Sequence, residues 1–307
     1  MTVAPTLYLI DSSIYVFRAW HSMPADFTDV DGAPINAVHG FTRFLCDFLE
    51  RTRPTHALAA FDESLVSSFR NGIYPAYKAH REMPPAELLV QFGYCKQIAG
   101  ALGLHVVSDA QYEADDLIGS AVAMSRAQGY RAVIISADKD FGQLIGPHDE
   151  QWDFSRNERW NEHGVRQRLG VRPDQVVDYL ALTGDAVDNI PGVPGVGPKT
   201  AATLLAHFGS LDALLARIEE IPYLRVRGAA QVYLRIKQHR EQALLSQRLS
   251  AIALDAPAPA TIDELRWRAP DANRLGALFE RLRFGPLTRK RCAALAPGMP
   301  VAATREA

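Results

Sequence analysis

The sequence predicts an α/β fold, a mainly parallel sheet flanked by helices, followed by a helical second half. Three observations predict it. Short apolar runs at 7–10, 56–61 and 131–135 have the length and aliphatic content of buried strands. Helical apolar periodicity lies between them, for example over 38–51 and 87–102. From about Val165 strand signals fade, and short helical patterns continue to about Gly285. Strand–helix–strand alternation argues for a parallel sheet covered on both faces.

Each predicted strand is followed by acid. Asp11 follows the first, Asp62 the second, and Asp138 and Asp140 the third. Glu113, Asp115 and Asp116 open a helix, where the positive end of the helix dipole favours carboxylates. In open α/β sheets ligands bind beyond the carboxyl ends of the strands. Ordinary turn chemistry explains Asp138-Lys139-Asp140 taken alone, and capping explains the helix start. Jointly the groups predict a metal site. Packed like charges repel, and an all-oxygen donor set suits a hard divalent ion, Mg²⁺ or Mn²⁺. Asp185 and Asp188 are spaced i, i+3, which on a helical turn would give them one face. A solvated loop is the alternative.

In the second half, Val176, Val177, Leu180 and Ala181 form one apolar helical face with Pro173 near its start. Ala201, Leu204, Leu205 and Phe208 form another, closed by Gly209. The run 192–198 between them is a turn. With Gly195, Gly197, Lys199 and Thr200 it offers free backbone N–H groups at a helix start, suited to a phosphate. A Walker A loop is disfavoured, because Pro198 separates Gly197 from Lys199 and the preceding segment reads as helix. Residues 64–86 lack apolar period and carry Arg70, Tyr74, Tyr77, Lys78, His80 and Arg81, the pattern of an exposed segment arching away from the core. Its aromatics can stack on bases and its cations can hold phosphate. Residues 256–260 read as a connector, and 296–307 carry no periodicity.

The chain has 307 residues, 48% of them hydrophobic and 22% charged, enough for one large domain or two modest ones. A net charge of −2 announces no global basic field, although a carboxylate cluster hides basic surface in the sum. Cys46, Cys95 and Cys292 form no C-x-x-C pair, so neither a zinc site nor a disulfide framework is expected, and reducing cytosol is the default. No basic segment followed by a long apolar run opens the chain, so no membrane span or signal peptide is expected.

These residues resemble the 5′-nuclease family, which comprises the 5′–3′ exonuclease domain of bacterial DNA polymerase I, phage 5′ nucleases and flap endonucleases. The resemblance runs from about Leu7 to about Leu287. It rests on Ile10-Asp11 with Arg18 seven residues on, Ala60-Phe61-Asp62, Ser68-Phe69-Arg70, the run 74–81, Tyr112 to Asp116, Ser136 to Asp140, and Leu182 through Ala201. It implies a PIN-like core over 1–172, with a helical arch at 64–95. A helix–three-turn–helix DNA-binding region over 173–290 and a tail over 291–307 complete the implied layout. All nine acidic positions of the family are filled. Ser12 and Val187 depart from its usual residues.

The resemblance implies a structure-specific 5′–3′ exonuclease and flap endonuclease using two divalent ions. Asp11, Glu113, Asp115, Asp116 and Asp138 are the expected ligands of the first ion. Asp140, Asp185 and Asp188 are those of the second, and Asp62 acts behind them. Lys78 and Arg81 are expected on the scissile phosphate. Arg18, Arg70, Tyr77, Gly195, Gly197, Lys199 and Thr200 are expected on DNA, with K⁺ at the hairpin. The chain resembles a free-standing, monomeric, cytoplasmic member acting on DNA with 5′ ends or 5′ flaps in replication or repair. A non-catalytic DNA-binding module and a PIN-type ribonuclease are the alternatives.

Overall fold

The computed structural model describes residues 4–64 and 68–296; residues 65–67 of the expected arch and 297–307 of the expected tail lie outside them. The chain separates into two compact units. One comprises Met1–Leu65, Met83–Ser136 and Ala253–Ala307, the other Val66–Glu82 and Ala137–Ile252.

The first unit is built on four strands, β1 (Thr6–Asp11), β2 (His56–Ala60), β3 (His105–Val107) and β4 (Arg131–Ile135). Their order is β3-β2-β1-β4, and every neighbouring pair is parallel. Leu9 of β1 stands level with Leu58 on one side and Ile134 on the other. All five residues of β2 are buried. Strands covered on both faces need continuous rather than alternating apolar sequence, which is why β1, β2 and β4 are readable as apolar runs. β3 contributes only His-Val-Val, too short to stand out.

Helices Asn36–Thr52, Ala86–Ala101 and Ala114–Ala127 belong to the same unit. The first buries Val38, Phe41, Leu45, Cys46, Phe48 and Leu49 along one stripe. Gln91 Oε1 accepts from the N–H of Ala37 (2.8 Å) and of Val38 (3.2 Å), so one helix caps the start of another. The returning chain is pinned by Trp267, whose buried indole donates to the Leu102 carbonyl at 2.8 Å. Gly103 is required where it returns: a Cβ there would lie 2.0 Å from the Arg268 carbonyl oxygen.

The second unit is mainly helical. It carries one antiparallel pair, β5 (Glu150–Asp153) with β6 (Glu158–Trp160), which the sequence reading missed because both are short and polar. Its helices include Val176–Thr183, Pro198–Phe208, Ala229–Gln238 and Arg240–Ser250. Pro198–Phe208 buries Ala201, Leu204, Leu205 and Phe208 and ends at Gly209 with φ 87°, as its sequence predicts. The buried Asp178 accepts from Leu211 N–H (2.8 Å) and Gln247 Nε2 (2.6 Å), joining three helices through one carboxylate. Among the described residues no helix is long and apolar enough to cross a membrane.

Candidate metal centre and nucleic-acid interface

The first unit gathers Asp11, Asp62, Glu113, Asp115 and Asp116 at the carboxyl edge of its sheet. Asp11 ends β1 and is buried, and Ser136 Oγ donates to its Oδ2 at 2.8 Å. Asp62 stands two residues beyond β2. Its N–H donates to Ser13 Oγ (3.0 Å), and its Oδ1 accepts from Ala114 N–H (2.9 Å). Asp62 therefore holds the start of helix Ala114–Ala127, an orphan donor satisfied from a neighbouring strand end. Glu113 is the N-cap residue of that helix, and Asp115 is half-buried in its first turn.

Asp116 behaves differently. It is fully buried, its Oδ2 accepts from Glu113 N–H (3.1 Å), and its Oδ1 accepts from Ala253 N–H (2.8 Å). Each of its oxygens serves a backbone donor. This geometry makes Asp116 the brace that fixes Glu113 and the returning chain.

The second unit carries Asp138, Asp140, Asp185 and Asp188. Asp138 Oδ1 accepts from Asp140 N–H at 3.0 Å, which caps the short helix Lys139–Leu144. Asp185 and Ile190 exchange two backbone hydrogen bonds, and Asp185 Oδ1 accepts from Val187 N–H (2.8 Å). The segment is thus a tight turn. The helical turn expected from the i, i+3 spacing is absent, and the two carboxylates serve different cations. Lys139 Nζ donates to Asp185 and lies 3.5 Å from Asp140 Oδ1. Arg81 Nη2 donates to Asp188 Oδ1 at 2.5 Å, and Lys78 Nζ lies 3.7 Å from Asp188 Oδ2.

Among the described residues no three His, Cys, Asp or Glu side chains are grouped so as to hold a metal ion. The closed cage expected from the sequence is not formed within either unit. Its physical reason is visible: Asp11, Asp62, Asp116, Asp138, Asp185 and Asp188 have each taken a backbone N–H, a hydroxyl or a cationic side chain nearby. Asp140 remains under strain of charge. Its Oδ1 is buried with no hydrogen-bond donor. Burial, then Asp138, with Asp185 and Asp188 adding to them, pushes its carboxyl up to about 7 against the pull of Lys139. Although burial opposes it, Asp140, Asp185 and Asp138 hold the Lys139 ammonium above its usual range. An oxygen-only set with an orphaned oxygen and mutual repulsion fits a hard divalent ion.

Two residues expected on DNA are placed otherwise. Arg70 is 2% exposed, and it donates from Nε to Leu249 O (2.9 Å) and from Nη2 to Ala251 O (2.8 Å). Tyr77 is equally buried, packed with Ile190 and Leu249, and its hydroxyl donates to Asp188 (3.3 Å). Buried side chains present no face to a base or phosphate, so both correct the reading of 64–86 as wholly exposed. Arg18 is half-buried with its guanidinium over Tyr15.

The hairpin lies where expected. Gly195 and Gly197 are exposed, Gly197 is the N-cap residue of Pro198–Phe208, Lys199 is exposed on its first turn, and Thr200 is half-buried beside it. Arg235 Nη1 lies 3.3 Å from the Gly195 carbonyl oxygen. A Cβ on Gly195, whose φ is 76°, would meet that guanidinium at 1.9 Å. Glycine is thus favoured for its backbone, while the exposed Arg235 guanidinium, the end of a flexible side chain, could move aside. Sequence reasoning gave Arg235 no specific place, since nothing local links it to residue 195. It also gave no place to Ser13 and Ser136, the hydroxyls that orient Asp62 and Asp11.

Two family models match the chain: the 5′–3′ exonuclease N-terminal resolvase-like domain over residues 6–170, and the 5′–3′ exonuclease C-terminal SAM fold over 171–273. The chain belongs to the 5′–3′ exonuclease family. Among its relatives, the DNA polymerase I of Rhizobium leguminosarum is 36% identical over 291 residues, covering 92% of this chain and 28% of the relative. That of Bacillus caldotenax is 37% identical over 289 residues, covering 92% and 32%. The chain thus spans about a third of the length of these relatives. In fold it is similar to T5 5′-exonuclease with bound divalent metal ions (zinc), with TM-score 0.67 and 19% identity over 90% of this chain and 99% of that one. It is similar too to the catalytic core of Rad2 in complex with DNA substrate, with TM-score 0.64 and 12% identity over 96% and 93%.

Proposed function

We propose that this chain hydrolyses DNA phosphodiester bonds at 5′ ends and 5′ flaps, as a Mg²⁺- or Mn²⁺-dependent monomer in the cytoplasm. Family membership supports the reaction class. The observation that carries the metal dependence is Asp140, a largely buried carboxyl whose Oδ1 makes no hydrogen bond, with only the Lys139 ammonium 3.5 Å away to set against three surrounding acids.

Asp11, Glu113 and Asp115 of the first unit are the residues we assign to one ion, and Asp138, Asp140, Asp185 and Asp188 of the second unit to another. When bound, such ions supply an activated water and stabilise the leaving oxygen. The protein's own work is orientation. Asp62 and Asp116 hold the Glu113 helix start in place, and Ser136 aims Asp11. Lys78 and Arg81 offset charge developing on the phosphate. Both sit against Asp188, so the residue that would bind an ion also keeps the two cations beside the reaction centre.

For DNA we assign the hairpin, through Lys199, Thr200 and the N–H groups flanking Gly195 and Gly197, with Arg235 laid beside them. Such contacts position the duplex and carry no base readout. The Gly195 carbonyl is met by the Arg235 guanidinium at 3.3 Å, and no step here uses K⁺.

A gel assay on matched 5′-flap substrates tests the proposal. Mg²⁺-dependent release of the DNA flap, with little release of an RNA flap, is expected. Cleavage unaffected by chelation, or confined to RNA, refutes it.

A further inference from the structure

The first unit holds a pair of thiols that the nuclease reading does not use. Cys46, on helix Asn36–Thr52, and Cys292, on helix Pro286–Ala293, are both fully buried, and their Sγ atoms lie 3.3 Å apart. The third cysteine, Cys95, is also buried and has no thiol beside it. Cys292 is the one buried residue of its helix. The helix is otherwise held through Arg289, which donates to the Phe284 and Phe279 carbonyls, and through Arg291, whose guanidinium meets Asp47 and Glu50, one residue and four residues beyond Cys46.

We propose that Cys46 and Cys292 are a disulfide-forming modification site that peroxide converts into a covalent staple between these two helices. A helix with a single buried side chain, held otherwise by partly exposed arginine contacts, opens locally at low cost, which admits a small oxidant. Cys292 is the attacking group: the hydrogen bond with Cys46 and the adjacent Arg291 hold its thiol below the usual range, whereas that same hydrogen bond and burial push Cys46 up. The Cys292 thiolate attacks one oxygen of hydrogen peroxide. The O–O bond breaks, hydroxide leaves, and Cys292 becomes a sulfenic acid. Cys46 then attacks that sulfur, the S–O bond breaks, and the released hydroxide takes up the Cys46 proton as water. Two thiols lose two electrons and two protons, and one peroxide is reduced to two waters. Only a small rotation of each side chain is needed, because the sulfurs are already in contact. The staple joins residues 246 positions apart into one long loop, the case in which a cross-link constrains the unfolded state most.

The test treats the purified full chain with stoichiometric hydrogen peroxide, then denatures and alkylates it. The expected result is one alkylatable thiol, that of Cys95, in place of three. The mass should fall by about 2 Da before alkylation. A tryptic peptide should join Cys46 to Cys292, and the midpoint of thermal unfolding should rise by roughly 5–15 °C, reversibly with dithiothreitol. Cys95→Ser should keep the whole response, and Cys46→Ser should lose it and leave Cys292 to oxidise further. Three alkylatable thiols after treatment, a cross-link through Cys95, or sulfinic acid at Cys292 with Cys46 still alkylatable would each overturn the proposal.

Discussion

Asp188 holds Arg81. The guanidinium Nη2 and the carboxylate Oδ1 are 2.5 Å apart, and Lys78 stands 3.7 Å from the other oxygen. Two cations suited to a phosphate are thus in the keeping of a carboxylate suited to a metal. On the proposed assignment, a divalent ion drawing on Asp188 would weaken its hold on both, coupling metal loading to exposure of the cations through one side chain.

Asp188→Asn separates the two roles. In chelator, DNA affinity should rise roughly two- to fivefold, the worth of a partly exposed ion pair released. Divalent-dependent cleavage should fall roughly 10–100-fold. Fluorescence anisotropy and single-turnover cleavage measure the two. Affinity and cleavage falling together would break the coupling.

Lys78→Ala should lower single-turnover cleavage by roughly 10²–10³-fold while changing DNA affinity little, as for loss of a group that acts on developing charge. An equal loss in both would make Lys78 a tether.

Arg70→Ala should act on folding. It leaves the Leu249 and Ala251 carbonyls without the guanidinium, at a cost of about 2–4 kcal/mol. Arg70→Lys should not rescue it, since an ammonium cannot copy the planar fork. Denaturant unfolding measures this. A normal midpoint with weakened DNA binding would return Arg70 to the interface.

This residue shows how far the sequence could be read. The strands β1, β2 and β4 were legible because burial on both faces writes continuous apolar runs. Most of the acids stood out because they follow such a run or open a helix; Asp185 and Asp188 do neither. The second-half helices were legible from the spacing of residues such as Ala201, Leu204, Leu205 and Phe208. Arg70 and Tyr77 misled, since a polar stretch gives no local sign that a guanidinium will find carbonyls some 180 residues away. Asp116 could not be told from Asp115, because the donor on its Oδ1 belongs to Ala253. The Asp185 turn was hidden by a spacing that helices and turns share.

Asp140 sets a pH dependence. Its folded carboxyl titrates near 7, above its ordinary 3.8, so the folded state binds the extra proton between those values. Stability contributed by that proton is present at low pH and is lost as pH rises towards 7. Divalent binding needs the carboxylate and therefore strengthens over the same window. Thermal unfolding scanned from pH 5 to 8 should show Mg²⁺ stabilisation growing with pH, and Asp140→Asn should flatten it. A pH-independent Mg²⁺ effect in the parent protein would contradict the assignment.

Arg235→Ala should weaken binding to flapped duplexes of any sequence and reduce the slope of log affinity against log salt by about 0.7–0.9, one phosphate contact. An unchanged slope would leave Arg235 as a prop for the hairpin.

The most direct measurement is diffraction at the manganese absorption edge from crystals soaked in Mn²⁺. The account predicts ions bound to oxygens of Asp140 and Asp185, and to those of Asp11 and Glu113. Both signals should disappear in crystals of the corresponding Asp→Asn and Glu→Gln variants, which should no longer cut a 5′ flap. A protein that cleaves flaps with no ion at any of these carboxylates would contradict it.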